Sequence, residues 1–375
     1  MDKQIILAVA GAGKTYHICH SIDPTKKNLI LAYTHENIHN IENELCDAYK
    51  SVPEMTTVMT FDSFVYRHLI CPYEPSIAEH FSCPTFINNG ICTIDPPPKQ
   101  IKNAGGKRVI NRNYVKKDKL RHYVTNQGQY YCATLSELVL QIKKGRDSLL
   151  KRAAARLNLF YDYVLIDEFQ DFRKHDYKLI IDLAKQLNRV MLVGDYHQHS
   201  VSATNNSGKP FKKGKKDVGY SDFISELQSA GFYVDTTILN RSRRCSTEIC
   251  DYVSKKLGIN ISSCDGHEGS VIWVDDSATE ILDNEQIVKL VFKGADKYSF
   301  QALNWSYSKG DTVNAACVVL TDRFEQLDNS DFSIQDIPVS TINKLYVAMT
   351  RSSGNLYLMK ASTFKKVKDL YIKQN

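Results

Sequence analysis

Near the start of the chain, Gln4 to Ala10 is an apolar run of strand length. It passes directly into Gly11-Ala12-Gly13-Lys14-Thr15 and then into helix-patterned sequence. Small residues at such a turn leave nothing to fill it except backbone N–H groups, which turn inward around an anion. The N-terminus of the following helix adds partial positive charge. Lys14 contributes a full charge and Thr15 a hydroxyl, so Ala8 to Thr15 reads as a phosphate-binding loop with Ala8 at its first glycine position. Ala10, Gly11, Ala12, Gly13, Lys14 and Thr15 are its candidate contacts, with Lys14 against the outer phosphates and Thr15 as a magnesium ligand. A strand, a loop and a helix in this order already commit the chain to an α/β fold.

The rest of the chain repeats that rhythm. Strands are expected at Gln4 to Ala10, Asn28 to Tyr33, Thr56 to Phe61, Tyr163 to Glu168 and Arg189 to Asp195. In the second half they are expected at Tyr233 to Leu239, Ser270 to Asp275, Ser299 to Asn304, Ala316 to Thr321 and Leu356 to Ala361. Short apolar runs alternating with helical patterns imply parallel sheets with crossover helices, and two such series imply two α/β domains in tandem. The segment between the third and fourth strands is too long for a single connection and reads as an insertion. It opens at Cys71-Pro72, contains Asp95-Pro96-Pro97-Pro98 and ends in a helical stretch from Leu135 to Leu159. The expected division is 1–70 with 155–232 as the first domain, 71–154 as the insert, and 233–375 as the second domain.

Charge is distributed unevenly. The chain has 48 Lys and Arg against 42 Asp and Glu, a net +6. Residues 99–156 hold fifteen basic residues against Asp118, Glu137 and Asp147, so this segment is +12 while the other 33 basic and 39 acidic residues come to −6. Tyr114, Tyr123, Tyr130 and Tyr131 are interleaved with that charge, a pattern suited to neutralising phosphates and stacking bases. The alternative is a solvated helix face with core tyrosines. Lys116 and Lys117 are the candidate contacts. A shorter basic run, Lys209 to Lys216, is either a second patch or a linker.

A second chemical signal is Tyr163-Val164-Leu165-Ile166-Asp167-Glu168-Phe169-Gln170-Asp171, an apolar strand ending in clustered polar groups. At the carboxyl edge of a parallel sheet Asp167 can hold magnesium, and Glu168 can take a proton from an attacking water. Read without the upstream loop, Asp167 or Asp171 would simply cap a helix.

Together with the loop, these residues resemble a superfamily 1 helicase of the UvrD, Rep and PcrA type. The other motifs stand in that family's order: Leu29 to Glu36, Thr60 to Phe64, Val193 to Gln198, Leu239 to Ile249, Ser308 to Thr312 and Leu345 to Arg351. The resemblance implies two RecA-like domains with an ATP and Mg2+ site in their cleft. Glu168 would be the base, Gln198 would sense the γ-phosphate, and Arg244 and Arg351 would reach it as arginine fingers. Thr34, Ser63 and Phe64 would contact single-stranded DNA. Arg243 occupies the position of an adenine-stacking tyrosine, and Gly310 falls in the fifth motif as a further nucleotide contact. The short spacing between the fourth and fifth motifs leaves out the accessory domain that large relatives insert there. That compact form resembles the UvrD-like subunits encoded with OLD-family nucleases in Gabija-type antiphage defence. The activity implied is ATP-dependent helicase or translocase movement on DNA, 3′ to 5′, or ATP-dependent sensing of DNA ends that regulates a partner nuclease.

The ten cysteines form no CxxC pair, and Cys71, His80, Cys83 and Cys92 match no common zinc spacing. No run approaches the roughly 18–20 apolar residues of a membrane span, and Met1 to Gln4 has no signal-peptide pattern. A cytoplasmic protein with a monomeric ATPase core is therefore expected. If residues 99–156 meet phosphates, Lys116→Glu with Lys117→Glu should weaken DNA binding and reduce the slope of log affinity against log salt by about two. Binding isotherms at several salt concentrations check this.

Overall fold

The structure is a computed structural model that describes residues 2–83, 88–103, 105–144, 147–199, 210–214, 216–264, 266–306 and 312–373. Two fully parallel sheets dominate. The first contains β1 (Lys3–Leu7), β2 (Asn28–Ala32), β3 (Thr56–Thr60), β4 (Tyr163–Ile166), β5 (Val190–Gly194) and β6 (Tyr233–Asp235), in the order β6-β1-β5-β4-β2-β3. The second contains β7 (Val271–Val274), β8 (Val288–Val291), β9 (Ala302–Asn304), β10 (Ala316–Val319) and β11 (Leu356–Met359), in the order β7-β11-β10-β8-β9.

Central strands such as β2 and β5 are buried along their whole length because both faces are covered, so they read as unbroken apolar runs rather than alternating ones. Their side chains still alternate between the two faces. Ile5, Leu7, Leu29, Leu31, Val164 and Leu192 point to one core, and Ile6, Ile30, Leu165, Met191 and Val193 point to another. The first core receives the helices from the long segment after β3, α3 (Leu135–Gln141) and α4 (Leu149–Phe160), together with α5 (Lys174–Ala184) and α6 (Tyr220–Ser229). The second core lies between the sheets. It joins α1 (Lys14–His20), α2 (His35–Tyr49), α7 (Thr247–Leu257) and α8 (Val339–Met349) to Leu290, Ala316, Val318, Leu356 and Leu358 of the second sheet. The far face of that sheet has its own cluster around Val274, Cys317 and Met359.

Four expectations are corrected. The strand at Tyr233, expected to open the second domain, pairs in parallel with β1 and completes the first sheet, because Val234 lies opposite Ile5. Strand β8 was not anticipated, since Lys289 interrupts its apolar run; Lys289 is nevertheless buried, its ammonium donating to the Asn284 carbonyl at 2.6 Å. The stretch Leu135 to Leu159 is two helices separated by a short hairpin, the second restarted by Ser148, whose hydroxyl accepts from Lys151 N–H at 3.1 Å. Finally, the apolar residues of the insert share the first core with β1 and β4 and do not form a cluster of their own.

β5 ends in Gly194, where a Cβ would meet Cδ1 of the buried Phe169 ring at 2.6 Å and would crowd the Gln170 side chain. Gly194→Ala should therefore lower stability by about 1–3 kcal/mol through overpacking. Urea unfolding of the variant beside the parent checks this.

Candidate active site

In a parallel sheet all strands finish at one edge, and each strand of the first sheet except the outer β6 delivers a candidate group there. β1 leads into the loop and Lys14, β2 into Thr34, β3 into Ser63, β4 into Asp167 and Glu168, and β5 into Asp195 and Gln198. The loop turns through left-handed backbone at Gly11 (φ 70°) and Gly13 (φ 81°), which glycine alone adopts without cost. A Cβ on Gly11 would also meet Arg244 Cβ at 2.7 Å. The second half of the chain closes on the loop: Val9 N–H donates to the Leu239 carbonyl at 2.9 Å, and Arg243 N–H donates to the Gly11 carbonyl at 2.8 Å.

A cavity of about 440 Å³ lies beside the loop, lined by Gly11, Gly13, Lys14, Thr15, Tyr16, Thr34, Glu168, Asp171 and Gln198 together with Arg244 and Arg351. Lys14 Nζ faces Glu168 Oε1 at 3.2 Å. An incoming phosphate can draw the ammonium away and free the carboxylate to accept a proton. Glu168 itself sits in left-handed backbone (φ 51°), an unfavourable conformation for a residue with a side chain, of the kind found at functional positions. Thr15 Oγ1 donates to Asp167 Oδ2 at 2.9 Å. These are two hard oxygen donors side by side, the kind of set magnesium takes alongside phosphates and water, so the residues present fit the ion. Burial, and then the neighbouring Glu168 charge, push the Asp167 carboxyl up to about 6.

The two arginines converge from the other half. Arg244 Nη1 donates to the Thr350 carbonyl at 3.1 Å, and Arg351 Nε donates to the Val347 carbonyl at 2.9 Å. Arg351 is 1% exposed, and burial followed by the Arg244 charge lowers it to about 10, which leaves it charged at neutral pH. Two guanidinium groups beside Lys14 make this cavity suited to a polyanion. Arg243 stacks over Tyr16 at 5.2 Å, and Tyr16 stacks on His20 at 3.8 Å. Gly310 lies outside the described residues, as do Ser200 to Ala203 after the third motif.

The candidate nucleic-acid contacts fare less evenly. Phe64 is fully buried, within aromatic range of Phe61 and His68, so it is a core residue and offers no face to a base; that expectation is corrected. Tyr123 and Tyr130 are likewise buried in the core, leaving Tyr114 and Tyr131 partly accessible. The Thr34 hydroxyl accepts from Asn37 N–H at 3.1 Å as the cap of α2, and Ser63 is bonded to Thr60. Lys116 and Lys117 are exposed, with Lys117 paired to Glu137. In the shorter basic run Lys212 and Lys213 pair with Asp217 and Glu226, while Lys209 and Lys215 lie outside the described residues. Among the described residues, no group of three or more His, Cys, Asp or Glu side chains could hold a metal ion.

The sequence reading missed Gln170, Asp195 and Tyr346 as site residues. All are buried at the cleft and hydrogen-bonded to one another or to the loop. All three lie inside the quoted motifs, but nothing local marks them as more than spacers.

Residues 2–204, more than half of the chain, match the AAA domain family, and the chain belongs to that family. It thus carries a nucleotide-binding ATPase domain. No curated protein matches it in sequence. Among solved structures it is similar to arterivirus nonstructural protein 10 (helicase) with DNA, at 13% identity and a TM-score of 0.47, over 96% of this chain and 61% of that one. The arterivirus nonstructural protein 10 (helicase) crystal structure matches at 14% identity and 0.46, over 98% and 62%. The PRRSV helicase matches at 12% and 0.44, over 99% and 55%. The chain spans less than two thirds of the length of these proteins. No described helix is long and apolar enough to cross a membrane.

Burial holds the His197 imidazole, next to Gln198, down at about 4. Since its ordinary value is 6.5, the unfolded chain takes up this proton first as pH falls. The neutral ring therefore contributes stability above about pH 6.5 that is lost on the way down to about pH 4. His197→Gln should lose less stability between pH 7 and pH 4 than the parent, by on the order of 1–3 kcal/mol. Denaturant unfolding at both pH values checks this.

Proposed function

We propose that the protein is a nucleic-acid-stimulated ATPase that couples hydrolysis to movement on single-stranded DNA, in the manner of a compact UvrD-type helicase or translocase moving 3′ to 5′. One observation carries this reading: Lys14, Thr15, Glu168 and Gln198 from one half of the chain share a single cavity with Arg244 and Arg351 from the other. A site assembled from two halves responds to anything that moves one against the other. Strong binding of a strand across both halves would thereby control turnover.

In this reading the loop backbone and Lys14 bind the phosphates. Glu168, released from Lys14, accepts the proton of the attacking water, and Gln198 orients that water. Arg244 and Arg351 stabilise charge on the transferring phosphoryl group. Magnesium, held by Thr15 and Asp167, would neutralise phosphate charge. Arg243 and Gly310 are assigned to the nucleotide, and Thr34, Ser63, Lys116 and Lys117 to DNA. The basic segment around 99–156 supports an anionic partner, since most of its Lys and Arg side chains are exposed.

A second reading is favoured by the burial of Phe64, Tyr123 and Tyr130, which removes much of the expected base-stacking surface. In it the protein binds single strands or DNA ends and uses hydrolysis to regulate a partner, such as an OLD-family nuclease of a Gabija-type defence system, without unwinding. A strand-displacement assay separates the two, because a sensor hydrolyses ATP on DNA but displaces no strand.

Phosphate release with and without single-stranded DNA tests the shared premise. Lys14→Ala should abolish turnover, and Arg351→Ala should lower kcat by about 10³-fold or more with nucleotide still bound. Parent-like turnover in Lys14→Ala would sink the mechanism.

A further inference from the structure

Tyr346 lies in α8, five residues before Arg351, and is completely buried. Its hydroxyl accepts from the Ala10 N–H at 2.7 Å and donates to Asp195 Oδ2 at 3.2 Å. A phenol has one proton, and here the acceptor for it is a carboxylate, so the direction of both bonds is fixed. Burial and the Asp195 charge hold the phenol far above its ordinary titration range, which keeps that proton in place.

The bonds continue from Asp195. Its Oδ1 accepts from His197 N–H at 2.9 Å, and its carbonyl accepts from Gln198 N–H at 3.0 Å, so it shapes the turn that presents Gln198. Its own N–H donates to Gln170 Oε1 at 2.9 Å, the Gln170 amide donates to Glu168, and Glu168 faces Lys14 at 3.2 Å. The series thus leaves the phosphate loop at Ala10 and returns to it at Lys14. Every member except Tyr346 comes from the strand ends and loops of the first sheet.

We propose that Tyr346 is a positioning residue for hydrolysis: its hydroxyl ties the phosphate loop and the Asp195–Gln198 turn to α8, the helix that leads directly into Arg351. This deepens the ATPase reading above and rests on it. If the ring served only as packing, phenylalanine would do as well. The hydroxyl instead sits between a buried N–H and a buried carboxylate, and its removal leaves both without this partner. A shift of α8 that brings Arg351 toward phosphate is felt at the same time by the loop and by Gln198, so the finger and the water-orienting side chain move together.

The test is Tyr346→Phe in the full chain, with three readouts: affinity for a fluorescent non-hydrolysable ATP analogue, kcat and KM with and without single-stranded DNA, and thermal unfolding. The expected result is analogue affinity within about twofold of the parent and little change in KM, with DNA-stimulated kcat down about tenfold or more. Asp195→Asn turns one accepting oxygen into a donor and disturbs the same bond. It should lower kcat by itself but add little in the Tyr346→Phe background, since coupled residues are not additive. Parent-like kcat and stimulation in Tyr346→Phe would overturn the proposal. So would a raised KM with kcat unchanged, or effects of the two variants that simply multiply. Should Tyr346→Phe fail to fold, Asp195→Asn alone decides, with parent-like kcat as the overturning result. A parent that hydrolyses ATP without any response to DNA sinks the nucleic-acid reading instead, and Tyr346 is then judged on unstimulated kcat.

Discussion

The phosphate loop is held from both sides, and most of the structure follows from that. Its strand, β1, lies between β6 and β5, while Leu239, Arg243 and Tyr346 bond to its backbone from the second half of the chain. Gly11 has no room for a side chain because Arg244 is packed on it. A turn this close to the opposite half requires the apolar layer between the sheets to bring the halves together, and that layer is continuous from Ile6 and Ile18 through Ile249 and Val347 to Leu356. Hydrophobic burial sets the approach, and the directional hydrogen bonds then select one register.

The electrostatics of the cleft depend on the same closure. Lys14, Arg244 and Arg351 place three cations around one cavity, whereas Asp167, Glu168 and Asp195 are carboxylates held among them. Burial raises both aspartates to about 6, and the Lys14 charge opposes that shift in each. Such a site costs folding stability and is suited to ligands that bring opposite charge. An arrangement so balanced responds to small displacements, because Lys14 and Glu168 face each other at 3.2 Å and any movement of one changes the field on the other.

The positive segment is organised differently. Its apolar and aromatic residues, including Tyr123, Tyr130 and Leu138, belong to the first core, and its lysines and arginines are left largely outside. In sequence the two sets are interleaved and suggest a single mixed surface. Folding sorts them, because a tyrosine ring buries more apolar area than a lysine stem and reaches the core without desolvating a charge. What remains outside is a surface more electrostatic than stacking in character.

The chain by itself determined the chemistry that each strand end would carry. All ten expected strand positions coincide with strands of the two sheets, and Lys14, Thr15, Asp167, Glu168, Gln198, Arg244 and Arg351 line the cavity or bond to residues that do. The strands, Lys14, Thr15, Asp167 and Glu168 are legible because strand period, small-residue turns and clustered polar ends are local properties, whereas Gln198, Arg244 and Arg351 are legible only through the resemblance of their motifs to the helicase family. The tertiary structure alone decided that β6 joins the first sheet, that Lys289 is buried in a strand, that Phe64 faces inward and that Tyr346 reaches Ala10. Ala10 and Tyr346 are 336 residues apart in sequence. Contacts of that kind arise from how buried faces fit once both sheets exist, and no local pattern encodes which partner a buried side chain will meet.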